Sequence, residues 1–183
     1  MSKKNELEIE MQQLNGKASA TKARFMTRND MDMDTRQKVI GLLNTHLACT
    51  FDLMSQTKQA HWNVKGPHFI ALHELFDALA EKLEKHVDTI AERVTTLGGV
   101  AMGTVKMAAK ASLLDEYPAD IAGGRDHVDA LSMRYSALGK TLREGIAQTA
   151  KWGDADSADL LTNVSREVDM SLWFLEAHLQ ADT

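Results

Sequence analysis

From about Asp34 onward, apolar residues return every third or fourth position along four long stretches separated by short polar ones. A helix turns about 100° per residue, so this spacing puts the apolar set of each stretch on one face. The first runs from Asp34-Thr35 to about Val64 through Val39, Leu42, Leu43, Leu47, Phe51 and Met54, and Gly66-Pro67 ends it. The second, from about Ile70 to Leu97, carries Leu72, Leu75, Leu79, Leu83, Ile90, Val94 and Leu97 on a single stripe and stops at Gly98-Gly99. The third spans about Ala119 to Thr149 with Val128, Leu131, Tyr135, Leu138 and Leu142. After "KWGDADSAD", the fourth starts at about Ser157 and carries Leu160, Leu161, Val164, Val168, Leu175 and Leu179. Between the second and third lies "VAMGTVKMAAKASLLDEYPAD", predicted to hold a short helix at Ser112–Asp115 and long enough to cross the length of a bundle.

Only two prolines interrupt the chain, and Ala, Leu, Met, Glu, Lys and Gln are plentiful, so the expected class is all-α. Four long helices with one long crossover between the second and third describe a ferritin-like four-helix bundle over residues 34–183, rather than an up-down-up-down bundle. Residues 1–33 show no sustained period and are expected to form a flexible tail, with one helical turn in "LEIEMQQL". The single cysteine, Cys49, lies in an apolar run and reads as a small buried hydrophobe, which excludes a disulfide framework and points to a reducing compartment. No run of about eighteen apolar residues occurs, and "MSKKNELEIEMQQ" lacks the apolar core of a signal peptide, so a cytoplasmic protein is expected. Charge is uneven. Lys3, Lys4, Lys17, Lys22, Arg24 and Arg28 against Glu6, Glu8 and Glu10 give residues 1–28 a charge of +3, leaving −8 on the remainder of a chain whose net charge is −5.

The second helix carries the candidate chemistry. His73, Asp77, Glu81, Glu84, Asp88 and Glu92 cluster far around the helix from its leucine stripe. His73 with Asp77, and Asp88 with Glu92, are i,i+4 neighbours, and each pair can turn one imidazole or carboxylate set toward a single ion. Eleven residues separate the two pairs, about 16 Å at ~1.5 Å per residue, so one chain cannot bring them to a common ion. Yet His73 and Glu92 lie equally far from a midpoint between residues 82 and 83, and so do Asp77 and Asp88. Two copies of the helix packed antiparallel about a two-fold axis there would set His73 against the second copy's Glu92 and Asp77 against its Asp88, giving two equivalent shared sites. The interior lacks the Glu-x-x-His pairs of di-iron bundles. His61 can close the site from the end of the first helix, with Trp62 beside it as an oxidisable aromatic wall.

The stretches "TRND", "TKQAHWNVKGPHFIALHELFD", "HVDTIAERVTTLGGVAMGT", "YPADI" and "LWFLEAHL" together resemble the bacterial DNA-binding proteins from starved cells (Dps), the mini-ferritins. The resemblance covers about residues 27–180, and its H-x(11)-H-x3-D-x(10)-D-x3-E pattern is specific. It implies a shell of twelve subunits around an iron-oxide core, with ferroxidase centres of two iron positions at two-fold dimer interfaces. His61, His73 and Asp77 would come from one subunit and Asp88 and Glu92 from its mate. It further implies that ferrous iron is oxidised by hydrogen peroxide, usually preferred over oxygen, and that hydroxyl-radical chemistry is suppressed. Hard carboxylates suit the ferric state and a histidine adds a nitrogen ligand without over-stabilising it. His61, Asp88 and Glu92 are expected to hold the first iron, with His73 and Asp77 completing a weaker second position.

Asp154, Asp156 and Asp159 open the fourth helix, where capping competes with a role the family suggests, lining three-fold pores that admit ferrous ions. His46, His68, His86, His127 and His178 have no matched ligand spacing and read as surface or capping residues, and Trp152 and Trp173 as packing residues. Some family members bind DNA through a lysine-rich amino terminus, and twelve tails would act multivalently without base readout. Here that contact would fall on Lys3, Lys4, Lys17, Lys22, Arg24 and Arg28, with association to the nucleoid. The alternative to an iron-sequestering ferroxidase is thus an architectural nucleoid protein in which iron chemistry is secondary. A helical oligomer without metal is the third reading.

Overall fold

The structure is a computed structural model that describes residues 23–180. Among these residues it contains five helices, α1 (Met33–Asn63), α2 (Phe69–Thr96), α3 (Val105–Ala111), α4 (Gly124–Lys151) and α5 (Ala155–Glu176), and no strand. Short connections make α1 with α2, and α4 with α5, antiparallel neighbours, while the crossover with α3 carries the chain between the two hairpins. All five apolar residues expected on the third helix are buried, as are Leu72, Leu79, Leu83, Ile90, Val94 and Leu97 on the second. Phe76 joins them in one continuous core. The expected faces are therefore the packed faces, and only α1 is buried more widely, because α2, α3 and α4 all lie against it.

Three boundaries differ from expectation. The crossover helix lies at Val105–Ala111, not Ser112–Asp115. The Thr104 hydroxyl accepts from the Met107 amide and caps a run of good helix formers, whereas Ser112 turns its hydroxyl onto Asp52 (2.5 Å) and accepts from the Leu114 amide. The helix expected from Ala119 begins at Gly124, because Gly123 is extended and bridges to Lys65 just after α1, with the Lys65 amide donating to the Ala122 carbonyl (2.9 Å). The last helix begins at Ala155, not Ser157. The Asp154 carboxylate accepts from the Ser157 amide (3.0 Å) and starts it early, so the linker shrinks to Trp152–Asp154.

Before α1, residues 23–32 contain no helix, and both the Arg24 and Phe25 amides donate to the Gly98 carbonyl (2.8 and 3.0 Å). Gly98 caps α2 at φ +83°, and a Cβ there would sit 2.5 Å from the Phe25 carbonyl oxygen, so both the turn and the close approach require glycine.

Candidate metal centre

The centre forms where the last turn of α1 meets the first turns of α2. Gly66, at φ +116°, lets the connection fold back sharply and brings His61 and His73 side by side. Their rings stack with centroids 3.7 Å apart and planes 21° from parallel. Each Nδ1 meets the other residue's backbone carbonyl, His61 Nδ1 at 2.7 Å from the His73 oxygen and His73 Nδ1 at 2.8 Å from the His61 oxygen. A carbonyl can only accept, so both Nδ1 atoms carry a proton, and the ligating tautomer of each ring has its lone pair on Nε2. A hydrogen bond on one nitrogen that fixes ring and tautomer is the usual support of a metal-ligating histidine. Phe69, one turn earlier on α2, packs its ring 5.1 Å from that of His73.

Asp77 lies one turn beyond His73. Its carboxylate accepts from Lys58 Nζ of α1, and the same ammonium stands 5.9 Å from the ring centre of Trp62, which is 65% exposed. The Lys58 hydrogen bond, ahead of its charge, holds the Asp77 carboxyl below the usual carboxylate value. Asp88 and Glu92 follow along α2 as exposed residues, and among the described residues neither carboxylate has a hydrogen-bond or ion-pair partner. Among the described residues no three His, Cys, Asp or Glu side chains of one chain gather to hold an ion. The fold stacks His61 on His73, holds Asp77 one turn further along α2 through Lys58 with Trp62 exposed beside it, and leaves Asp88 and Glu92 apart on the same helix.

The three aspartates at the start of α5 are not equivalent. Asp154 is buried, caps the helix and pairs with Arg93 Nη2 (2.8 Å), whose Nε donates to the Ser157 hydroxyl (2.9 Å). Asp156 and Asp159 are exposed, and only Asp156 is near Arg93, at 3.8 Å. Arg24 and Arg28 are exposed, while Lys3, Lys4, Lys17 and Lys22 lie outside the described residues.

Some expectations for lone residues need correction. His46, His86 and His127 are buried, not superficial, and only His68 and His178 are exposed. His46 fills the space opposite Gly145 of α4, where a Cβ would come within 2.4 Å of its Nε2, and burial pushes its pKa down to about 4. His127 is held by the Tyr117 hydroxyl (2.7 Å). Trp152 packs on the core as expected, but Trp173 is 59% exposed and touches Phe174. The sequence reading also passed over Lys58, which stands one helical turn before His61 and Trp62 and was legible by that spacing. The two carbonyls that orient the histidines leave no trace in residue type.

A family model described as a ferritin-like domain matches residues 40–183. A DNA protection during starvation protein of Agrobacterium fabrum is 48% identical over 154 residues, spanning 84% of this chain and 95% of that protein. The chain belongs to the Dps family of ferritin-like proteins. Another protein with the same description, from Mycolicibacterium smegmatis, is 34% identical across 78% of each chain. Among solved structures, DpsA14 from Streptomyces coelicolor superposes with a TM-score of 0.84 at 32% identity, covering 88% of this chain and 96% of the other. That Dps structure shares the fold described above.

Proposed function

We propose that this Dps protein is a ferroxidase and iron store whose catalytic centres are completed by pairs of subunits. His61, His73 and Asp77 of one subunit, with Asp88 and Glu92 of its mate, form two iron positions, with Trp62 at the wall. The observation that carries this reading is the reciprocal lock of the two histidines. It leaves two Nε2 lone pairs free to ligate, with the Asp77 carboxylate one turn beyond His73 on the same helix, while the Asp88 and Glu92 carboxylates stand unpaired further along it. Iron is the substrate here, and an assembly of few imidazoles with several carboxylates holds it loosely enough to pass it on.

Each ferrous ion gives up one electron. Hydrogen peroxide takes two such electrons with two protons and leaves as water, with oxygen as the slower oxidant. The protein's part is to hold two ions close together, to keep both imidazoles in the ligating tautomer, and to yield the Asp77 carboxylate from Lys58 when metal arrives. Ferric product then accumulates as mineral in a hollow shell of like subunits, twelve by family resemblance. Asp156 and Asp159, whose carboxylates are exposed where Asp154 is tied to Arg93, are the better candidates for a pore that attracts ferrous ions. Membership of the ferritin-like family supports iron storage in general, and the name of the Agrobacterium relative supports protection of DNA as the physiological role. Direct DNA contact through Lys3, Lys4, Lys17, Lys22, Arg24 and Arg28 is the second reading. It would bring the protein to the nucleoid, and rising salt would abolish it. Among the described residues, no helix is long and apolar enough to cross a membrane.

Anaerobic ferrous titration followed by peroxide, compared between wild type, His61→Ala and Asp88→Ala, tests the centre. Both variants should lose most of the rapid iron oxidation while still assembling. Oxidation and storage at the wild-type rate in both would refute the ligand assignment.

A further inference from the structure

The chain has two tyrosines, and their surroundings differ in one chemical respect. Tyr135 is fully buried with its hydroxyl 3.3 Å from Thr57 Oγ1, and Thr57 in turn donates to the Leu53 carbonyl (2.7 Å). A hydroxyl already donating elsewhere is no base. Tyr117, which opens the "YPADI" stretch, instead has its hydroxyl 2.7 Å from His127 Nδ1, with the two rings within 13° of parallel. Burial keeps this phenol protonated and disfavours the charged form of His127, whose ring lies near the Asn63 backbone while its Nε2 makes no hydrogen bond among the described residues. The phenol therefore donates and Nδ1 accepts. Arg134 braces the pair, donating to the Glu116 carbonyl (2.6 Å) and setting its guanidinium 5.9 Å from the Tyr117 ring centre. A cation there opposes a positively charged tyrosine, so an electron can leave readily only if the proton leaves too. Asn63 directly follows Trp62, and the Lys65 to Ala122 hydrogen bond fastens the same two segments together. The pair thus lies against the end of α1 that carries the metal centre.

We infer that Tyr117 and His127 form a redox couple that absorbs stray one-electron oxidant from the neighbouring centre. The oxidant is of the hydroxyl-radical class, formed when peroxide meets ferrous iron outside the paired reaction. Tyr117 loses one electron to it and one proton to His127 Nδ1. The products are a neutral tyrosyl radical, an imidazolium and hydroxide. An electron from a further ferrous ion, which becomes ferric, returns with the proton from Nδ1 and restores both residues. The role rests on the ferroxidase reading only for its source of oxidant.

Two arms separate the proposals. In the first, the assembled protein is loaded with ferrous iron, mixed with excess hydrogen peroxide, freeze-quenched and examined by electron paramagnetic resonance, with ring-deuterated tyrosine to assign the signal. In the second, iron-free protein is oxidised by flash-generated ruthenium(III) tris-bipyridine. Wild type and Tyr135→Phe should give a tyrosyl signal in both arms, and Tyr117→Phe should lose it. His127→Gln should slow its appearance in the flash arm and remove the dependence of its rate on deuterated solvent. A signal that survives Tyr117→Phe and vanishes in Tyr135→Phe, or a His127→Gln protein with unchanged rate and solvent dependence, overturns the couple. Normal behaviour in the flash arm with no iron oxidation in the first would leave the couple standing and refute the ferroxidase reading instead.

Discussion

The two halves of α2 each carry a pair of candidate ligands one turn apart, but the pairs are prepared differently. The amino-terminal half is supported by its own chain: α1 supplies the carbonyl that orients His73, the imidazole of His61 and the ammonium that holds Asp77. The carboxyl-terminal half presents Asp88 and Glu92 to solvent, and among the described residues nothing braces their carboxylates. The asymmetry has a physical reason. An imidazole must be aimed and given one tautomer before it can ligate, whereas a carboxylate accepts from many directions and in either oxygen. On the proposed reading, preorganisation falls on the ligands that need it, and association would deliver the flexible ones.

The most drastic way to break this comparison is subunit mixing. His61→Ala and Asp88→Ala proteins, each inactive alone, should regain rapid ferrous oxidation when dissociated and reassembled together. In a mixed dimer one of the two centres takes its histidine half from the Asp88→Ala subunit and its carboxylate half from the His61→Ala subunit, and so has every ligand. Mixing His61→Ala with Asp77→Ala, both lesions in the braced half, should restore nothing. Stopped-flow absorbance of ferric product reads the difference, and equal recovery in the two mixtures would contradict a shared centre.

How far residue pattern reached follows the same division. The helix faces and the crossover were legible because burial in a bundle imposes a period on residue type, as Leu72 through Leu97 show. The mirror spacing of His73 and Asp77 with Asp88 and Glu92 is visible in position along one helix, and the shared centre it suggests is the proposal that subunit mixing tests. What stayed hidden depends on contacts between distant parts of the chain. Ser112 leaves a helix for Asp52, Ala122 and Gly123 leave one for Lys65, and His46 is buried because Gly145 makes room for it. Polar residues are judged superficial by default, so His46, His86 and His127 were misjudged wherever a partner helix rather than the local period decided burial.

Both halves of α2 depend on the bundle that keeps the helix in place, and His46 sets an acid limit on it. Its folded pKa of about 4 lies below the ordinary 6.5, so below that ordinary value the unfolded chain binds a proton that the native chain refuses. The stabilisation is complete above about pH 6.5 and is lost as pH falls to about 4. The shift corresponds to a loss on the order of 3 kcal/mol. His86 and His127, also depressed by burial, act in the same direction. Urea unfolding at fixed protein concentration should show the fall, and His46→Gln should flatten most of it. An equally steep acid loss in that variant would transfer the effect to other groups.

The smallest expected effect concerns the brace on Asp77. Lys58 now satisfies the carboxylate that metal would need, so Lys58→Gln should strengthen ferrous binding at the braced half, while leaving binding by Asp88 and Glu92 to the mate's geometry alone. The pair is partly exposed, with side chains 32% and 42% accessible, so solvent screening keeps the gain in affinity small. The same change should move the Asp77 protonation midpoint in metal-free protein up toward the ordinary 3.8, because the hydrogen bond that lowers it is gone. In the wild type the ion pair stabilises the fold above that ordinary value and is lost only as pH falls through the lower folded one. Carboxyl-carbon NMR titration and anaerobic ferrous calorimetry measure the two shifts together. If the midpoint rises without any gain in affinity, Lys58 is a structural brace that iron never has to displace, and the two halves of α2 differ less in readiness than their geometry implies.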